Sequence, residues 1–135
     1  MPFEEIRHTA DCSIRVWAQD MPSLLSEAAR GMNSILGLQL NEAHPYNKEI
    51  HLTAFDYESL MVAFLSELIY MVERDQIGFE NISIDLDDTS LHATLQGAQI
   101  NSMGKTIKAV TFHNLKIIKS GDFLEAVLVF DVWFI

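Results

Sequence analysis

The feature that most restricts the fold is a long apolar segment, residues 57–72, whose hydrophobic side chains recur at spacings of three and four. This spacing is the period of an α-helix that buries one face. Polar residues interrupt the segment, and it is shorter than the roughly 20 apolar residues that cross a membrane. Asp56 stands where an N-cap belongs, because its carboxylate can accept hydrogen bonds from the first backbone N–H groups. The segment therefore predicts a buried helix.

A second helix is predicted to begin after Asp20 and Pro22 and to end near Gly37. Proline is favoured in the first turn of a helix, and glycine is favoured just after the last turn. The apolar residues between these signals fall on one stripe: Leu24, Leu25, Ala28, Met32, Ile35 and Leu36. We expect both helices to pack on one core.

Elsewhere the apolar residues alternate with period two, which is the pattern of half-buried strands. They are Ile14 and Val16; Ile50, Leu52 and Ala54; Ile82, Ile84 and Leu86; and Leu91, Ala93 and Leu95. Two further strands are predicted over residues 107–117 and 124–132, with a turn over residues 116–122 that contains Gly121.

The predicted order is strands, a helix, a strand, a helix and then four strands. This order indicates an α+β fold in which two helices pack on a largely antiparallel β-sheet. A chain of 135 residues has the size of one domain, so we expect a single domain over residues 1–135. Residues 41–47, with His44 and Pro45, are expected to form a mobile connection.

The charge balance restricts the partners. Nine Lys and Arg residues against 19 Asp and Glu residues give a net charge of −10. This charge repels phosphate backbones, so a direct grip on RNA or DNA is disfavoured and a metal ion or a basic protein is the better partner.

Cys12 is the only cysteine, which excludes an intrachain disulfide. The first residues lack a basic region followed by an apolar segment, so we expect a cytoplasmic protein without a membrane partner.

Common catalytic motifs are absent from the sequence. It contains no GxxxxGK[ST], GxGxxG, GxSxG or HExxH pattern. Phosphate-binding loops of the usual kind and common nucleophile devices are therefore excluded.

Asp131 is the residue that fits its surroundings least, because it lies within the apolar run of residues 129–134. A carboxylate in apolar surroundings is costly unless it has a partner. It is either a surface or salt-bridged aspartate or a metal ligand. Asp11, at a break between two predicted strands, is either the cap of a turn or a second ligand. His8 is either a hydrogen-bonded histidine that supports this loop or a ligand.

Lys108 and His113 belong to one predicted strand. Lys108 either lies on the solvent side of the sheet or pairs with an acidic cluster or a phosphate. Strand alternation places positions 108 and 113 on opposite faces. They can share a site only if a bulge or turn intervenes.

Four segments together resemble the archease family, and the resemblance covers nearly the whole chain. They are residues 8–11 (HTAD), 64–69 (FLSELI), 108–113 (KAVTFH) and 129–132 (VFDV). The resemblance implies an accessory protein, not an enzyme, that activates the RNA-splicing ligase joining tRNA exon halves. It would promote the guanylylation of that ligase and its repeated turnover.

The resemblance also implies a site. Asp11 and Asp131 would hold a divalent cation together with Val132, the residue after the second aspartate. Oxygen ligands of this type suit calcium, with magnesium or manganese as alternatives, rather than zinc. Lys108 matches the functional lysine of the family, and His8 and His113 match positions with a supporting role.

Family chains commonly end one residue after the last aspartate, so that a terminal carboxylate lies beside the metal. In this sequence Trp133, Phe134 and Ile135 follow Val132, which can therefore offer only a backbone carbonyl. We expect weaker metal binding as a result, because calcium affinity depends on ligand charge.

Two other functions remain open at this point. In a small metal-dependent hydrolase, His8, Asp11, His113 and Asp131 would surround a catalytic ion that activates water. In a chaperone-like interaction domain, the apolar residues 133–135 would form the contact surface. The sequence does not specify the native metal, the RNA substrate of the partner or the oligomeric state.

Overall fold

The computed structural model describes residues 2–7, 11–111 and 114–134. The elements in chain order are β1 (Phe3–Arg7), β2 (Asp11–Ala18), α1 (Met21–Leu36), β3 (Gln39–Thr53), α2 (Tyr57–Asp75), β4 (Ile77–Asp87), β5 (Ser90–Ser102), β6 (Lys105–Thr111), β7 (Ile118–Ser120) and β8 (Phe123–Phe134). Neither α1 nor α2, the helices of this described part, is long and apolar enough to cross a membrane.

Both predicted helices are confirmed, together with their caps. The Asp56 side chain accepts a hydrogen bond from the backbone N–H of Ser59 at 2.7 Å, which begins α2 as expected. α2 ends three residues later than predicted, because its last turn is charged and exposed and carries no apolar signal. Asp20 caps α1 in the same way, and Gly37 ends it in the left-handed conformation with a φ of 63°.

The strands of the described residues form two antiparallel sheets. The first has the order β1-β2-β8-β6, with β7 also paired to β8, and the second has the order β3-β5-β4. The predicted α+β fold with two helices on antiparallel strands is confirmed, but the strands divide into two sheets. Alternation reveals which face of a strand is buried and carries no information on which strands pair.

The segment 41–47 is not a connection between elements, and that prediction is wrong. It lies inside β3, which pairs with β5 and shifts register between Asn41 and Pro45. Proline has no N–H to donate, but it is tolerated in an edge strand such as β3 and at an irregularity of this kind. Pro45 therefore marks an irregularity within a strand and not a loop.

The end of the chain contains one more strand than predicted. The strand expected over residues 107–117 stops at Thr111, and the short strand β7 lies inside the segment expected to turn. β7 pairs with the first residues of β8 through Ser120 and Phe123, on either side of Gly121. Its three residues are exposed, so no apolar alternation signals it.

The core lies between the helices and the two sheets. α1 contacts β2 of the first sheet and β4 of the second, and α2 contacts β6 and β4. Each helix therefore joins both sheets. Fully buried side chains of this core are Leu24, Leu25 and Met32 of α1, Leu60, Phe64 and Leu65 of α2, Ile14, Leu128 and Phe130 of the first sheet, and Leu91 and Leu95 of the second.

Helix capping by Asp20 can be tested directly. Its Oδ1 accepts a hydrogen bond from the backbone N–H of Ser23 at 2.8 Å. Hydrogen bonds from the Ser23 hydroxyl and N–H lower the pKa of Asp20. We expect Asp20→Ala to lower the free energy of unfolding at neutral pH by about 1 kcal/mol, the usual cost of losing an N-cap.

Since the pKa of Asp20 is lower in the folded state, its stabilising effect is complete above the ordinary aspartate value of about 3.9. The effect disappears as the pH falls through the lowered value. Urea unfolding at neutral and strongly acidic pH measures this difference. Asp20→Asn is the matched control, because asparagine caps as well but does not ionise. Equal stability of the wild type and Asp20→Ala at neutral pH would show that the cap contributes nothing.

Candidate metal and partner site

The outer face of the first sheet, the face turned away from the helices, carries the predicted site. Along β8 the residues Ala126, Leu128 and Phe130 are buried in the core, whereas Val127 is 43% exposed. Successive residues of a strand point to opposite faces. Asp131 therefore lies on the outer face with Val127, and it is half-buried there.

The pairing of β2 with β8 places Asp11 directly opposite Asp131. Residues in directly opposite positions of an antiparallel pair lie on the same face, with Cβ atoms about 4.5–5.5 Å apart. The next pair, Cys12 and Phe130, is buried on the core side. Two positions that are 120 residues apart in sequence, both aspartates, are thus direct partners in the sheet.

A β-bulge at Lys108 completes the arrangement. Ile107 pairs with Val132 and Ala109 pairs with Asp131, so Lys108 is an extra residue between these two pairs. Ile107 and Val110 are buried, whereas Lys108 and Ala109 are both exposed. A bulge sets two residues of one strand against one residue of its partner. Lys108 and Ala109 therefore both lie on the outer face, next to Asp131.

The structure brings together three of the predicted site residues, namely Asp11, Asp131 and Lys108. Val132 is half-buried and pairs with the core residue Ile107, so only its backbone is suited to a role on the outer face. His8 and His113 lie outside the described residues, and their roles stay predictions.

Lys105 at the start of β6 is a residue that the sequence interpretation missed. Its Nζ lies 3.8 Å from Sγ of the buried Cys12, and its Cα partner on β8 is Phe134. Cys12 is buried on the core side of the sheet, so the Lys105 side chain reaches the face opposite Asp131. The sequence shows a cation before the apolar residues of this strand, but it does not reveal which face the cation occupies.

Further along the same face, Arg15 of β2 forms ion pairs with other residues. Arg15 donates to Oε1 of Glu125 at 2.8 Å and to Oε2 of Glu4 at 3.3 Å. These hydrogen bonds raise the pKa of its guanidinium, which also lies 4.7 Å over the ring of Trp17. These contacts hold Arg15 nearer the middle of the sheet, away from the strand end that carries Asp131.

The donor chemistry of the site fits an ion that prefers oxygen. Two carboxylates and a backbone carbonyl are the ligand types of calcium, magnesium and manganese. Across the ranges that the structure describes, no three His, Cys, Asp or Glu side chains are grouped so that they could hold a metal ion.

Comparisons with known proteins agree on one family. The model of the Archease protein family matches residues 3–132. Protein archease of Methanosarcina acetivorans is 30% identical over 96% of this chain and 95% of its own length. Protein archease-like of Dictyostelium discoideum is 26% identical over 96% of this chain and 93% of its own length.

Solved structures share the fold. A Thermotoga maritima crystal structure, described as an archease and possible chaperone, matches with a TM-score of 0.73 and 26% identity over 95% of both chains. The solution structure of a Methanobacterium thermoautotrophicum protein has the same fold, with a TM-score of 0.69 and 23% identity over 96% of this chain and 98% of its own. The predicted α+β fold is thereby confirmed, and the chain belongs to the archease family.

Proposed function

We propose that this protein is an accessory protein that activates an RNA-splicing ligase, acting from the sheet end where Asp11, Asp131 and Lys108 lie. Membership of the archease family supports an accessory role, and the T. maritima relative is described as a possible chaperone. The single observation that carries the proposal is the β2–β8 register, which sets Asp11 opposite Asp131.

Opposed carboxylates favour a divalent cation at this position. Two carboxylates close together repel each other unless a cation lies between them. Calcium is the ion we expect, with magnesium or manganese as alternatives, because all three bind oxygen ligands. Asp11, Asp131 and the carbonyl of Val132 would hold the ion, which would supply positive charge for an anionic group of the partner.

The contact we propose is between proteins. The net charge of −10 disfavours a grip on RNA but favours docking on a basic surface of a ligase. Lys108 lies beside the two aspartates and adds a positive charge at the proposed contact. A nucleotide phosphate of the ligase would bind next to this lysine. The function of the site would then be to position phosphate groups of the ligase during guanylylation and so permit repeated turnover.

Metal binding by the two aspartates is the first test. Asp131→Asn and Asp11→Asn keep the side-chain shape but remove one charge each, so both should weaken calcium and manganese binding by more than about tenfold. Asp122→Asn, at an exposed position between β7 and β8, is the matched control. Titration calorimetry measures the affinities. Wild-type affinity in both site variants would exclude the site.

The role of the residues after Val132 is tested by shortening the chain. A chain that ends at Val132 carries a terminal carboxylate beside Asp131, which adds a full negative charge to the ligand set and should tighten calcium binding. The truncation also removes the pairs of Trp133 and Phe134 with β6, so a thermal melt must first show that the protein is folded. A folded truncated protein that binds calcium no better would contradict the charge argument.

The accessory role itself is tested by ligase turnover. We expect the wild-type protein to stimulate the cognate ligase, and Asp131→Asn and Lys108→Ala to reduce the stimulation by at least about tenfold without a loss of folding. Lys119→Ala on the exposed strand β7 is the control for a change of surface charge.

Equal stimulation by all variants would remove the site from the mechanism. Absence of stimulation by the wild-type protein would contradict the accessory role.

A further inference from the structure

Two histidines face each other on the outer side of the second sheet. His51 of β3 is directly opposite His92 of β5, and their rings are stacked, with centroids 4.3 Å apart and an angle of 4° between the planes. His51 is exposed, and the His92 side chain is 39% exposed. Both rings are therefore accessible to solvent.

One carboxylate contacts this pair, and another lies at a neighbouring strand position. Glu49 Oε1 lies 3.2 Å from His92 Nε2. On the other side of His92, Asp85 of β4 occupies the directly opposite position. The contacts on this face therefore join Glu49, His51 and His92, and Asp85 is their neighbour by strand register.

The contact between Glu49 and His92 bears on which ring nitrogen of His92 can bind a ligand. When a carboxylate accepts the N–H of one ring nitrogen, the other nitrogen of a neutral imidazole carries the lone pair. Metal-binding histidines usually have such an orienting carboxylate. Because a carboxylate accepts hydrogen bonds, Glu49 favours the tautomer of His92 that carries its proton on Nε2 and leaves Nδ1 to a ligand.

The two rings must rearrange to share one ion. Two imidazole nitrogens on a tetrahedral zinc ion, each at about 2.1 Å, lie about 3.4 Å apart. The stacked rings are nearly parallel, with centroids 4.3 Å apart, so their nitrogen lone pairs do not converge in this arrangement. Because nitrogen lone pairs lie in the ring planes, the rings must turn toward each other to share an ion. Their exposure allows this rotation.

We propose that His51 and His92 form a binding site for a late transition-metal ion such as zinc or copper, with Glu49 as a positioning residue. Imidazole nitrogen is the ligand type these ions prefer, whereas calcium and magnesium prefer oxygen. The site supplies two nitrogen donors and leaves the remaining coordination positions to water or to a group of a partner. It lies on a different sheet from Asp11 and Asp131 and does not depend on the proposed ligase function.

The test uses zinc and copper ions alone with the full chain. His51→Ala and His92→Ala should each weaken zinc binding by more than about tenfold, measured by calorimetry, because either change removes one of two donors. His44→Ala, at an exposed position of β3, and Asp131→Asn should leave this binding unchanged. Both histidines lie on an exposed face, so the variants should melt at the wild-type temperature without metal.

Site-specific evidence comes from nuclear magnetic resonance of the imidazole groups. Substoichiometric copper should broaden the ring signals of His51 and His92 before those of the other three histidines. Broadening that begins elsewhere, or zinc affinity that is unchanged in both alanine variants, would overturn the proposal.

Glu49→Gln separates a positioning role from a structural one. It should weaken zinc binding by about tenfold, the lower end of the usual effect of an orienting carboxylate, with no change in the melting temperature of the metal-free protein. Zinc binding should also weaken as the pH is lowered, because protons compete for the imidazole nitrogens. A pH-independent affinity would show that the histidines are not the ligands.

Discussion

The pairing of β2 with β8 is the constraint on which the rest of the structure depends. It joins the beginning of the chain to its end in the middle of the first sheet. The core fixes its register, because Ile14 lies opposite Leu128 and Cys12 lies opposite Phe130, and all four are buried. A slip by one residue would turn these side chains to the solvent. The opposition of Asp11 and Asp131 is therefore a consequence of hydrophobic packing on the other face.

The bulge in β6 follows from the same packing. Ile107 and Val110 are both buried although they are three positions apart, which a regular strand with period two does not allow. An extra residue resolves the conflict, and that residue is Lys108. Bulges are frequent where a strand must present a side chain at a functional site. The arrangement of two aspartates and one lysine thus rests on the core, and variants of the core strands should affect it indirectly.

Local patterns predicted the helices well and the sheets only in part. The N-caps Asp20 and Asp56 and the end at Gly37 are properties of a few adjacent residues, so the sequence reveals them. The division into two sheets depends on pairings between distant segments, which alternation does not encode. Pro45 was misleading for a related reason. Its meaning depends on whether the strand is at an edge, and that position is set by the tertiary fold.

The candidate site, like the sheets, was predicted only in part from the sequence. Asp131 was conspicuous in the sequence because it is a carboxylate among apolar residues, and the family resemblance paired it with Asp11. The bulge at Lys108 and the stacked pair of His51 and His92 were not predictable, since each depends on the register between strands that are distant in sequence. Register carries functional information here that residue type alone does not.

The proposed cation site at the β2–β8 register is tested most directly by crystals grown with manganese and measured at a wavelength where manganese scatters anomalously. We expect one anomalous peak within coordination distance of the carboxylates of both Asp11 and Asp131. An electron-density map that shows both carboxylates without a peak between them would contradict the proposal.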